Sequence, residues 1–421
     1  MAATDARPAT YRQVFALVEA RVLLGTLVLS LVGDLLATVA LTVLVWNQTN
    51  NTVYAAATFA IGYLPWVFGG PVLAALADRL PWRATMVTCD LVRAAMVGLL
   101  AIPGVPLPVL LALLFVSALF QPPFEAARSA LMPVAIPGDP YVLANALQQV
   151  LRQTTQVAGF LIAGALVTVL HPQGALIVDA VTFALSAIAI RIWVHKRDAP
   201  ARPAVRRSLL AETGDGIRLV LGHRVLRPYL ILAFVTSGFV YASEGLSAPY
   251  AAHLHGGPQV VGILLAAIPI GQAVGALVLG RFIRPALRQK LVIPLSVWAG
   301  AVLVPIALDP PLPVVTLLYG LSGVGLACMT VVNANYVRAV APEFRGRAFG
   351  VANSGLQISQ GVGVLLAGAL AAVLLPPYVV ALCGAACLLS ILLLAAGWPS
   401  TQQQDEAMEH PATGPARKVS A

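Results

Sequence analysis

Charge is scarce in this chain. Only 10% of its 421 residues are Asp, Glu, Lys or Arg, against about 25% in a soluble domain. Apolar residues reach 59% and the mean hydropathy is +0.86, which excludes a water-soluble globule. Lysine is limited to Lys196, Lys290 and Lys418, and none follows the glycine loop of a phosphate-binding motif. Cysteine is equally sparse. Cys89, Cys328, Cys383 and Cys387 all fall in apolar runs, which excludes a disulfide framework, and Cys383 and Cys387 read as small packing residues on one helix face. No helix carries two His around a Glu, no Ser-His-Asp arrangement is recognisable, and His253 and His255 have no evident third ligand. Neither an enzyme nor a metal site is expected, and no cofactor.

What is present is a series of apolar segments, each near the roughly 20 residues that a helix needs to cross about 30 Å of hydrocarbon. Twelve spans are read, at 22–46, 53–76, 82–102, 107–128, 143–170, 174–194, 226–250, 257–281, 291–308, 311–338, 346–375 and 378–397. The first run continues into a second span without a small-residue cleavage site, so it is read as a span and not as a signal peptide.

The connections alternate in charge. One set holds Arg79 and Arg83, Arg128 and Arg152, the stretch from Arg191 to Arg227, Arg281 to Lys290, and Arg338 to Arg347. The other set reads "NQTNNT", "PGVPLP", "HPQG", "HLHGGPQ", "DPPLP" and "LPPY", with no Lys or Arg. Positive loops stay inside, so both termini are expected in the cytoplasm, with the chain multi-pass in the inner (plasma) membrane. The net charge of +9 then serves topology and contact with anionic membrane lipids, not nucleic acid.

One long polar connection separates six spans from six. The expected organisation is a cytoplasmic N-terminal segment 1–21, a six-helix bundle 22–194, a cytoplasmic linker 195–225, a second six-helix bundle 226–397 and a cytoplasmic tail 398–421, read as disordered from Thr401. Gly69 and Arg79 of the first half correspond to Gly271 and Arg281 of the second, and "RSALMP…LANALQQ" is echoed by "VRAVAP…VANSGLQ". Such duplication is a construction principle of secondary transporters.

The stretch "GGPVLAALADRLPWR" at 69–83 resembles the loop 2–3 signature of the major facilitator superfamily. Further stretches, "QPPFEAARSALMP", "ALIVDAVTFALSAIAI" and "PEFRGRAFGVANSG", resemble its macrolide-efflux and enterobactin-exporter-like branch. The resemblance implies an all-α integral membrane protein of twelve helices in two pseudo-symmetric six-helix bundles. It also implies a conformational latch from Gly70, Asp78, Arg79 and Arg83, with Asp78 facing Gly346 and Arg347, and Arg79 or Arg83 meeting Glu125. Two departures stand out. Phe160 occupies a place in "AGFLIAGAL" where many drug exporters have Pro, and the fourth span, "PVLLALLFVSALF", lacks the mid-membrane Arg of some antiporters.

Charges inside the spans mark cavities or partners, since each costs roughly 2.5–3.5 kcal/mol at the bilayer centre. Asp34 lies midway along the first span and is a candidate proton carrier or ligand for a cationic substrate. Asp90 and Arg93 are spaced to pair on one face, with Arg93 alternatively reaching Asp34. Asp179 reads as structural, and Glu244, with Tyr241 and Tyr250 nearby, is a candidate for attracting a cation or gating the outer mouth. Amides recur at helical spacing as Asn145, Gln149 and Gln156 with Arg152, and as Asn353, Gln357 and Gln360. Lipid does not solvate them, so they are expected at a cavity or a helix interface. Phe120, Gln121, Tyr241, Asn333 and Tyr336 suit a partly apolar, partly hydrogen-bonding ligand.

The function expected from these features is export of a small amphipathic molecule by a monomeric secondary transporter, driven by the proton gradient. A proton-coupled importer and a non-transporting membrane sensor of the same fold are the alternatives.

Overall fold

The computed structural model describes residues 10–68, 80–197, 209–341, 344–409 and 412. Among these residues the structure is helical throughout, with one isolated parallel bridge between Val340 and Ala412. The apolar runs become helices because a chain in hydrocarbon must satisfy its backbone polar groups within the segment. Among the described residues, seven helices are long and apolar enough to cross a membrane. They are Val18–Thr49, Leu107–Ala135, Asp139–Trp193, Leu226–His253, Pro258–Phe282, Leu312–Arg338 and Pro376–Ala395.

Asp139–Trp193 holds the fifth and sixth spans together, since His171 leaves helical geometry (φ 57°, ψ 164°) at the "HPQG" turn ahead of Pro172. The remaining expected spans are Thr52–Phe68 and Trp82–Leu100, the broken helix Val292–Leu308, and Arg345–Leu370. Thr52–Phe68 has 17 residues and Trp82–Leu100 carries Arg83, Asp90 and Arg93, so neither reads as a long, charge-free span. With these included, the helices trace the twelve expected spans.

The chain forms two compact units, 1–40 with 72–203 and 41–71 with 204–421. In the first, the third span packs on Asp139–Trp193, around a core that includes Met86, Phe124, Leu131 and Ile190. In the second, Thr52–Phe68 lies along Arg345–Leu370, and Pro258–Phe282 lies along Leu312–Leu326. The latter pair approaches closely at glycine. A Cβ on Gly323 would collide with the Ile268 carbonyl, and one on Gly271 with the Gly320 carbonyl. Between lipid-facing helices, where the hydrophobic effect gives little drive, such backbone proximity supplies the packing energy.

The polar segments also contain helices. Part of the linker is a helix, Leu209–Gly222, that buries Leu219 and Val220 and packs on Arg345–Leu370. The expected disordered tail contains a helix, Thr401–Glu409, whose Gln404 is 3% exposed. Gln404 accepts from the Tyr229 hydroxyl (2.7 Å) and the Gln289 amide (2.8 Å), and donates to the Pro399 carbonyl (2.7 Å). Trp398 lies against Tyr229 at 5.4 Å, and Ala412 pairs with the backbone at 339–341. A polar composition read as disorder here supplies the hydrogen bonds that hold the segment down.

Candidate functional site

The first unit encloses a chain of ionisable groups within the membrane-spanning segments. Arg93, 5% exposed, donates to Asp34 across a 2.5 Å separation between the third and first spans. Its guanidinium lies 4.0 Å from the centroid of Phe183 on the sixth span, where the ring face attracts the cation. Asp179, one turn from Phe183, is buried and accepts from Thr182 at 3.3 Å. Space for that carboxylate exists because residue 33 is glycine. A Cβ there would run into both the Asp179 carboxylate and the Thr182 hydroxyl.

Asp90 is fully buried beside Ser186. Toward the loop ends, Glu125 accepts from Arg128 at 3.0 Å and from Arg152 at 2.8 Å. These groups interact electrostatically as one set, since Asp34 senses Arg93, Glu125 and Arg152, and Asp90 senses Arg93, Asp34 and Arg128. Among the described residues, the set therefore holds four carboxyl groups, Asp34, Asp90, Glu125 and Asp179, against three guanidiniums, Arg93, Arg128 and Arg152.

The second unit contains a cavity of about 240 Å³ between the seventh, eighth, tenth and eleventh spans. Its polar lining is Ser237, Tyr241, Gln272, Asn333, Tyr336 and Gln360, set among Leu230, Met329, Val332 and Leu356. The Tyr241 hydroxyl donates to Gln272 at 3.2 Å. Tyr336 is fixed by a bond to the Ala348 carbonyl (2.9 Å) and an edge contact with Phe349. A few placed polar groups in an apolar wall are what small-molecule recognition requires.

A profile of the Major Facilitator Superfamily matches residues 22–250 and 245–418. The chain belongs to this superfamily. It is therefore a membrane transporter and not an enzyme. The multidrug efflux pump Tap of Mycolicibacterium fortuitum is 26% identical over 350 residues, covering 80% of this chain and 86% of that protein. Macrolide efflux protein A of Streptococcus pyogenes is 20% identical over 346 residues, with 80% and 85% covered. The crystal structure of the nucleoside transporter NupG superposes with a TM-score of 0.67 at 15% identity, covering 89% of this chain and 98% of that one.

Tyr241, Asn333 and Tyr336 line one cavity, whereas Asn353 and Gln357 do not line it. Gln272, Met329 and Ser237 were not singled out from the sequence. Gln272 had a readable signal, an amide alone in the apolar run "IPIGQAVGALVLG". Phe120 and Gln121 belong to the other unit. Asn145 and Gln149 are exposed along the fifth span, and Gln156 is half-buried.

Arg93 does not pair with Asp90, although the two lie three residues apart on one helix. Its guanidinium extends across to Asp34 and rests on Phe183. Of the two arginines expected to meet Glu125, Arg79 or Arg83, the described one makes a different contact. Arg83 donates to the Arg191 carbonyl at 2.6 Å, while Glu125 holds Arg128 and Arg152. Gly70, Asp78 and Arg79 lie outside the described residues, as do the side chains around Gly346 and Arg347.

A clamp with no marker in the sequence joins the start of the first span to the end of the sixth. Glu19 accepts from both Arg197 nitrogens, at 2.9 and 2.7 Å, and from the His195 backbone at 2.7 Å. The bonds from Glu19 hold the Arg197 guanidinium above its usual range. Two parallel bonds fix geometry as well as charge.

Proposed function

We propose that this protein exports small amphipathic molecules from the cell by alternating access, with protons moving inward in exchange. The observation that carries proton coupling is the charge balance of the first unit. Among the described residues of the first unit, four carboxyl groups interact with three guanidiniums, and an uncompensated charge at membrane depth is costly. One bound proton makes the set neutral, and exchange of that proton gives the unit two electrostatic states. Each charge moved across 100 mV supplies about 2.3 kcal/mol.

Export, and not import, is supported by the names of the relatives, a multidrug efflux pump and a macrolide efflux protein. The mixed lining of the second unit's cavity supports an amphipathic cargo. The reading includes a monomer of two six-helix halves, 22–194 and 226–397, with both termini in the cytoplasm and the spans in the plasma membrane. It also keeps the 70–83 loop as the conformational latch.

Inverted vesicles with an imposed pH gradient test it. Uptake of a fluorescent amphipathic substrate is expected to release protons from the vesicle lumen in the wild type and to lose that release in Asp34→Asn. Substrate flux that proceeds at full rate with the gradient collapsed removes proton coupling, and accumulation in the opposite direction removes export.

A further inference from the structure

The seventh span is not uniformly α-helical. It tightens into a 3₁₀ turn over Ala242–Leu246 and resumes α-helix at Ser247. In such a turn residues three apart lie one above the other, so Glu244 stands over Tyr241, which lines the cavity. Glu244 is 8% exposed, and among the described residues its Oε1 atom has no hydrogen-bond partner and its carboxylate makes no ion pair. The nearby His253 stacks on Tyr250 but is taken by Asp309 at 2.9 Å. Tyr63, Tyr241 and Tyr319 each interact electrostatically with the carboxylate.

Among the described residues this buried carboxylate has no cationic partner, and a cation brought to it would be held by direct charge attraction. Its surroundings select the cation. Hard metal ions need several oxygen ligands in a shell, and one carboxylate among tyrosines does not provide it. Alkylated ammonium and related organic cations are attracted by aromatic faces, and the apolar cavity wall below accepts the rest of such a molecule.

We propose that Glu244, behind the Tyr241 side chain, is the recognition point for organic cations, so that cargo seated in the cavity places its cationic group between the tyrosines. The Tyr241 bond to Gln272 opens to admit it. This rests on the efflux reading for its role in transport, though not for binding.

The test uses the purified full-length protein and two probes of similar shape, tetraphenylphosphonium, a permanent cation, and triphenylphosphine oxide, which is neutral. Glu244→Gln is expected to weaken tetraphenylphosphonium binding by about tenfold or more, the scale of one lost contact to a charged group. Triphenylphosphine oxide affinity is expected to stay within about twofold, a difference well below that scale. Unchanged cation affinity, equal loss for both probes, or a wild type that binds no cation each overturns the proposal.

If Glu244→Gln does not run as a monodisperse species, Glu244→Asp carries the test. The shortened carboxylate must lose cation affinity selectively, and equal affinities overturn the proposal. Vesicle efflux separates the two readings. A wild type that binds the cation but pumps neither probe leaves the Glu244 site standing and removes efflux. One that pumps both, with Glu244→Gln still binding and pumping the cation, removes the Glu244 site alone.

Discussion

Arg93 reaches from the third span to Asp34 on the first, 2.5 Å away, with the face of Phe183 beneath its guanidinium. This single cation ties two helices together and stands among Asp34, Asp90 and Asp179. Removing it leaves buried carboxylates without compensation, which costs about 3–5 kcal/mol for a broken buried pair. Arg93→Ala is therefore expected to lower membrane yield and melting temperature sharply. Asp34→Asn is expected to be far milder, because it removes an acid from a set already rich in acids. Melting curves of the detergent-solubilised variants compare them directly.

The four-to-three balance makes a second expectation. Asp90, fully buried beside Ser186, is replaced by an isosteric neutral group in Asp90→Asn, leaving three acids against three guanidiniums. The bound proton of this set is then no longer needed, and the infrared absorption of buried protonated carboxyl groups is expected to fall by one group, with Glu244 of the second unit left as in the wild type. In the double variant Asp34→Asn with Arg93→Ala, one excess acid remains and the absorption is expected to persist. Absorption unaffected by Asp90→Asn overturns the charge-balance account.

Gly33 faces Asp179 and Thr182 with no room for a methyl group, whereas a methyl group at Gly25 on the same helix would meet nothing within 4 Å. Gly33→Ala is expected to destabilise by about 1–3 kcal/mol, the usual cost of overpacking, and to disturb coupling through Asp179. Gly25→Ala is expected to behave as the wild type. Thermal stability with vesicle flux for the two variants checks the contrast.

Gln404 gathers Tyr229, Gln289 and Pro399 around one buried amide. Gln404→Ala leaves these groups unsatisfied at about 1–3 kcal/mol for a buried polar partner. A lower melting temperature is expected, matched by a truncation that ends at Pro399. If both variants melt with the wild type, the tail contributes no stability.

The ion pair at the first and sixth spans gives a salt-dependent expectation. Glu19 is 10% exposed at its side chain and Arg197 is 26% exposed, so screening reaches the pair only in part. Glu19→Gln is expected to lower stability at both low and high ionic strength, by less at high. A thermal-shift series in salt reads the difference.

Much of the fold was legible because hydrocarbon leaves a chain few choices. Apolar runs of spanning length become helices, and the break at His171 falls at the expected "HPQG" connection. Tyr241, Asn333 and Tyr336 were recognisable as polar groups in apolar spans, and they share a cavity. Gln272 carried the same signal in a stretch that held only one amide. The tail misled for the opposite reason. "TQQQDEAMEH" is polar by composition, but its Gln404 amide meets partners from distant helices, and composition says nothing about partners 115 to 175 residues away.

Residence in a bilayer and a count of twelve spans follow from the chain alone, because burial in lipid is settled locally, residue by residue along each run. The same local reading marks which charges lie at membrane depth. Whom those charges meet became visible only once the helices were packed. Spacing of three residues made Asp90 and Arg93 look like a pair, yet a long guanidinium chooses among carboxylates on every neighbouring helix, and Asp34 with Phe183 offered the better site. Pairing energies act through space, so Asp34, Asp90, Asp179 and Arg93 form one electrostatic set by virtue of the folded arrangement and not of their order along the chain.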